Sequence, residues 1–366
     1  MRAAEAPIER VEAKAYQVPT DAPESDGTFA WEHTTLVVTE IAAAGRTGLG
    51  YTYAAGAVAG IIRSALAPVL LRDDAFAIPR LCEAMVGQVR NFGWRGIAAT
   101  AISALDVALW DLKAQLLEVP LAQLFGPARD RVPVYGSGGF TSYSEARLRE
   151  QLGGWTHEQG CRFVKMKVGS RPEDDLTRMA AAKGAIGGAD LMIDANGAFD
   201  RKQALLFAER AAELGAIWFE EPVSSDDLEG LQLLRDRAPA VMDVAAGEYG
   251  YDPFYFKRIM DAGAVDVLQA DATRCCGYTG FLRAAALADA ASLPLSAHTA
   301  PALHLPVCLA APRLRHAEWF HDHVRIERML FDGAPVVSDG VMRPDLGRPG
   351  HGLEFRRADA EPFALA

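Results

Sequence analysis

The sequence predicts an α/β protein: a closed parallel (β/α) barrel that gathers its ionisable residues at one mouth, with an α+β domain in front of it. Three observations lead there. Beyond Gly126-Pro127, eight short apolar segments alternate with amphipathic helical stretches. Ahead of that break, strand-like and helix-like segments are mixed. Within the alternating part, charged residues close strand after strand at a spacing near one βα unit.

In the first domain, Thr34–Ile41 (TTLVVTEI) is rich in β-branched residues and reads as a strand. Residues 17–31 (QVPTDAPESDGTFAW) are polar, with two prolines and a glycine, and predict a long loop. A turn is expected near Gly50–Ala55. Ala98–Leu116 carries apolar residues at helical spacing among strong helix formers. After the break, strands are expected at 132–136, 163–167, 190–194, 216–220, 241–246, 265–269, 293–297 and 316–319. Arg201–Leu214 and Thr279–Ala291 are among the helices between them. Such an alternation implies a parallel sheet covered on both faces. The tail, 325–366, is turn-rich and is expected to pack back on the first domain. The expected division is a cap over 1–127, a barrel over 128–322 and a tail over 323–366 that completes the cap.

The chain has 366 residues and a formal net charge of −11, which argues against a nucleic-acid surface. It does not exclude an anionic substrate, because a bound divalent cation inverts the local charge. The five cysteines (Cys82, Cys161, Cys275, Cys276 and Cys308) are odd in number and irregularly spaced, as expected for reduced, buried thiols. No apolar targeting segment opens the chain, and no run reaches about 18 apolar residues. The expectation is a cytoplasmic protein that does not enter a membrane.

Lys165 and Lys167 close the second expected strand, Asp194 the third and Glu220 the fourth. Glu248 follows the fifth, Asp271 the sixth and His298 the seventh. From Asp194 onward the intervals are 26, 28, 23 and 27 residues. In a parallel barrel such residues converge on the C-terminal mouth. Asp194, Glu220 and Glu248 supply three hard oxygen ligands suited to Mg²⁺, and so close together they would repel one another without a cation. Lys165 and Lys167 lie two apart and point to the same side, so each should favour a neutral, basic amine in the other. Asp271 beside His298 would fix the imidazole tautomer and raise its basicity. A cation flanked by bases suits removal of a proton next to a carboxylate, the charge on the resulting enediolate being stabilised in place.

Several segments resemble, in order, the mandelate racemase subgroup of the enolase superfamily. They are Ala101–Asp111 (AISALDVALWD), Lys165–Gly169 (KMKVG), Ile193–Gly197 (IDANG), Phe219–Pro222 (FEEP), Ala246–Glu248, Ala270-Asp271 and Ser296–His298. The resemblance implies a modified TIM barrel, (β/α)₇β, with an α+β capping domain built from both chain ends. It implies Asp194, Glu220 and Glu248 as Mg²⁺ ligands. It also implies Lys167 and His298 as bases on opposite faces, Asp271 as the partner of His298, and Lys165 against the substrate carboxylate. Asn196 and Glu221 fall beside the ligands, whereas Asp106 and Asp111 read as structural helix residues. The cap segments 17–31 and 50–55 would close over substrate. In the racemase a glutamate stands near the position of His321. Here the segment is Glu318-Trp-Phe-His-Asp-His323, so that glutamate is not evident, and His321 reads equally as a contact to a substrate hydroxyl or carboxylate and as a structural residue under the tail. The implied reaction is dehydration of an acid sugar to a 2-keto-3-deoxy acid. Racemisation or epimerisation of a 2-hydroxy acid is the alternative. A barrel that only binds an acid would be expected to have lost one of these groups. Cycloisomerase relatives normally carry a lysine after the sixth strand, where this chain has Asp271. A small-molecule carboxylate and other copies of the chain are the expected partners.

Overall fold

The computed structural model describes residues 5–365. Strands β1 (Ile8–Ser25), β2 (Ala30–Ala43) and β3 (Arg46–Tyr53) form an antiparallel cap sheet in that order. The expected loop at 17–31 is therefore mostly strand, and only residues 26–29 turn. The pairing of β1 with β2 slips between Pro19↔His33 and Glu24↔Trp31. β1 is an edge strand, where proline is tolerated, and Pro23 falls within the slip itself. Asp26 shapes the turn by accepting from the backbone N–H of Thr28 (2.6 Å) and Phe29 (2.8 Å).

The expected turn at 50–55 is also mostly strand. Gly48 and Gly50 sit in β3 because the helix Ile97–Leu117 lies directly on them. A Cβ on Gly50 would stand 2.1 Å from the carbonyl of Ala104. Asp106 and Asp111, on that helix, tie layers together. Asp106 accepts from Thr279 of a barrel helix, and Asp111 from the backbone of Leu49 and His351.

The barrel is formed by β4 (Val132–Gly138), β5 (Phe163–Lys167), β6 (Asp190–Asp194), β7 (Ala216–Glu220), β8 (Asp243–Ala246), β9 (Val267–Ala270), β10 (Leu295–Ala297) and β11 (Leu314–Phe320). Each pairs in parallel with the next, and β11 pairs with β4 to close the ring. Tyr135, Met192, Trp218, Ala245 and Val267 fill its interior below the mouth. In the tail, Val341–Met342 adds to β4, and His351 and Leu365 bond back to Leu49 and Ala15 of the cap. The boundary expected at 322/323 cuts through the helix His321–Leu330. Among the described residues, all five cysteines are buried and unpaired, and no helix is long and apolar enough to cross a membrane.

Candidate active site

The strand register explains why the charged residues meet. Lys167, Asp194 and Glu220 lie on one rung across β5, β6 and β7. Lys165 points the same way two residues deeper. Just past the strand ends, Asn196, Glu221, Thr299 and Ala300 adopt left-handed φ of +48°, +37°, +50° and +37°. Non-glycine residues held there cost on the order of 1–3 kcal/mol each, so this mouth carries backbone strain.

Asp194, Glu220 and Glu248 are buried, and an oxygen from each lies within 4.8 Å of the others. Burial, then Asp194, pushes the Glu220 carboxyl up to about 8. Burial and Glu248 push Glu221 well above the usual range. Glu221 Oε1 is enclosed with no donor among the described residues. This crowded, all-oxygen set fits a magnesium ion.

The two lysine amines reach into this carboxylate set. Lys165 Nζ bonds Glu220 and lies 2.9 Å from Glu318 and 3.4 Å from Asp194. Lys167 Nζ donates to Asp194 (2.5 Å) and to Asn196 Oδ1 (3.0 Å). Each lysine is expected to favour a neutral amine in the other. Burial, and for Lys167 also Lys165, does oppose the charge, but the carboxylates outweigh both and keep the amines protonated above the ordinary range.

Across the mouth, His298 Nδ1 bonds Asp271 Oδ2 at 2.8 Å, and its Nε2 lies 3.2 Å from Glu248 Oε2. Burial disfavours the imidazolium, but Glu248 and the bond to Asp271 outweigh it and lift His298 to about 10. Asp271 is fixed in turn by the N–H and hydroxyl of Thr273, both at 2.7 Å. Arg274 spans the two carboxylates, 3.2 Å from Glu248 and 3.5 Å from Asp271.

The structure adds a residue that sequence reasoning passed over. Glu318 of β11 is buried against Lys165, accepts from Ser137 Oγ (2.5 Å) and Thr299 N–H (2.9 Å), and lies 3.8 Å from His298 Nε2. Burial would raise its carboxyl, but Lys165 and then His298 hold it down at about 2. β11 runs to Phe320, so Glu318 stands two residues inside its strand end, at the depth Lys165 has in β5. That parity is the signal that could have found it. His321, by contrast, does not join the set. Its Nε2 lies 3.2 Å from both carboxylate oxygens of Asp21 in the cap. Asp21, Glu24 and His321 also cluster, but Arg147 already pairs with Asp21 at 3.0 Å. His321 is a tie between cap and barrel.

Two family models match the chain: the N-terminal domain of mandelate racemase / muconate lactonizing enzyme over residues 10–126, and the enolase C-terminal domain-like family over residues 147–360. A 3,6-anhydro-alpha-L-galactonate cycloisomerase of Streptomyces coelicolor is 34% identical, over 96% of this chain and 98% of its own. An arabinonate dehydratase of Saccharolobus solfataricus is 30% identical, over 90% of each. A mandelate racemase/muconate lactonizing enzyme-like protein of Rubrobacter xylanophilus superposes with a TM-score of 0.96 at 50% identity, covering 98% of this chain and 100% of its own. A Streptomyces coelicolor racemase with bound magnesium does so at 0.92 and 31%, with the same coverage. Cycloisomerases and dehydratases thus both stand among these relatives.

Proposed function

The chain belongs to the mandelate racemase subgroup of the enolase superfamily, a group of magnesium enzymes, and on that premise we propose that it removes the proton α to the carboxylate of an acid sugar and dehydrates it to a 2-keto-3-deoxy acid. One observation carries this reading. Lys167 and His298 touch different members of one carboxylate set, from strands three apart one way round the barrel and five the other. Mg²⁺, when held by Asp194, Glu220 and Glu248, supplies positive charge beside the substrate carboxylate as negative charge develops there. Lys165, steadied by Glu318, donates to that carboxylate and orients it. Lys167 or His298 takes the α-proton, according to the face it occupies. His298 in its imidazolium form then gives a proton to the β-hydroxyl, the C–O bond breaks, water departs, and the enol tautomerises to the keto acid. The dehydratases among the relatives favour this outcome.

The second reading is isomerisation, in which the proton returns without loss of the hydroxyl. The two opposed bases and the cycloisomerase relative favour it. Incubation with Mg²⁺ and pooled acid sugars in D₂O, followed by proton NMR, separates the two. Keto-deoxy signals mean dehydration. Loss of α-proton signals alone means isomerisation. No change with any acid sugar or hydroxy acid would overturn both.

A further inference from the structure

His323 follows the strand that carries Glu318 and lies in the first turn of the helix His321–Leu330. Its ring stacks on Tyr53 of the cap, with centroids 3.4 Å apart and planes 11° apart, and Phe320 meets it at 84°. The backbone N–H of Ala300, two residues past His298, donates to its Nδ1 at 3.2 Å. Nδ1 must therefore hold a lone pair, which places the proton of a neutral ring on Nε2. Burial, then His298, holds the imidazolium far below its ordinary range.

Among the described residues, Nε2 has no hydrogen-bond partner. Yet it is not sealed in, as Nε2 of His316 is, although the residue is only 8% exposed. The charged groups whose fields reach the ring are His298, Asp271, Glu318 and Arg274, the set at the barrel mouth. The neighbouring side chains Tyr53 and Phe320, and Phe140 behind Phe320, are aromatic. A fixed N–H donor in such a wall is satisfied by water or by an oxygen of a ligand, and an apolar group there would leave it unpaired.

We propose that His323 is a specificity residue whose Nε2–H donates to a hydroxyl oxygen on the substrate chain beyond the reacting carbons, so that the site selects polyhydroxylated acids over alkyl or aryl 2-hydroxy acids. This rests on the acid-sugar reading, so its test is read by binding rather than turnover. Calorimetric Kd values for arabinonate and gluconate, and for lactate and mandelate, are measured with Mg²⁺ in a Lys167→Ala background. His323→Phe keeps the stack on Tyr53 and removes the donor. It should weaken the sugar acids 10- to 100-fold while changing lactate and mandelate less than twofold. His323→Gln, which restores an N–H, should recover most of the loss. Unchanged sugar-acid affinity in His323→Phe, or an equal loss for both classes, overturns the proposal. If the discrimination disappears as expected while the unmutated enzyme processes no acid sugar, the specificity assignment stands and the dehydration reading falls.

Discussion

The two halves of the barrel mouth are built on different principles. Around β5–β7, Lys165, Lys167, Asp194 and Glu220 are held by one another, charge against charge, with little backbone support. Around β9–β11, His298 is held through Asp271, which is fixed by Thr273, while the backbone of residues 299 and 300 is pinned by Glu318 and His323. The first half therefore depends on every one of its charged partners, whereas the second is held rigid through backbone and hydroxyl donors, consistent with the cost of misplacing a proton donor.

The largest effect should come from breaking the first half. Asp194→Asn removes a ligand and leaves Lys167 without its main partner. Loss of several kcal/mol of charge stabilisation corresponds to a fall in kcat of about 10³-fold or more. Calorimetric Mg²⁺ titration should show the loss of affinity alongside. A variant that binds Mg²⁺ as before would remove Asp194 from the ligand set.

The comparison is sharpened by attacking one base at a time. Lys167→Ala and His298→Asn should each lower kcat on the order of 10²–10⁴-fold for the substrate epimer whose α-proton faces that base. Deuterium exchange at the α-carbon of the opposite epimer should survive, as followed by NMR in D₂O. If both variants lose both exchanges, the two bases do not serve opposite faces.

Much of this mouth was readable from the chain itself. Strand side chains alternate between the barrel interior and its helix-covered face, and a charged residue at a strand end avoids the apolar face, which makes Asp194, Glu220, Lys165 and Lys167 legible from their spacing. Glu318 is less legible because its strand runs one residue past the apolar segment expected at 316–319, which hides its two-residue depth from the strand end. The cap hairpin was misread because two prolines, a glycine and several acids resemble a loop by composition. Pairing on one edge only, with a slip in register, lets the same residues form strands. Burial of Glu24, whose carboxyl is pushed up to about 9 chiefly by loss of solvent, depends on Trp31 and the barrel surface closing over it. Nothing local encodes that.

The smallest expected effect concerns the joint between the cap and the rigid half. Glu327, on the helix after β11, accepts from Tyr51 Oη of the cap at 2.6 Å and from the Ala302 N–H at 3.1 Å. Burial raises its carboxyl to about 8, more than these bonds lower it. The unfolded chain ionises this group near 4.5, so between about pH 4.5 and 8 the folded protein binds the extra proton. Its contribution to stability is therefore fully present below pH 4.5 and is lost as pH rises toward 8, by up to about 1.4 kcal/mol per pH unit. Glu327→Gln mimics the protonated form and should flatten that part of the profile. Melting temperatures at pH 6 and pH 8 check this: the variant should gain on the unmutated protein as pH rises. An unchanged difference would mean that Glu327 is ionised in the folded state, and that the cap is held to the barrel by a charged rather than a neutral hydrogen bond to Tyr51.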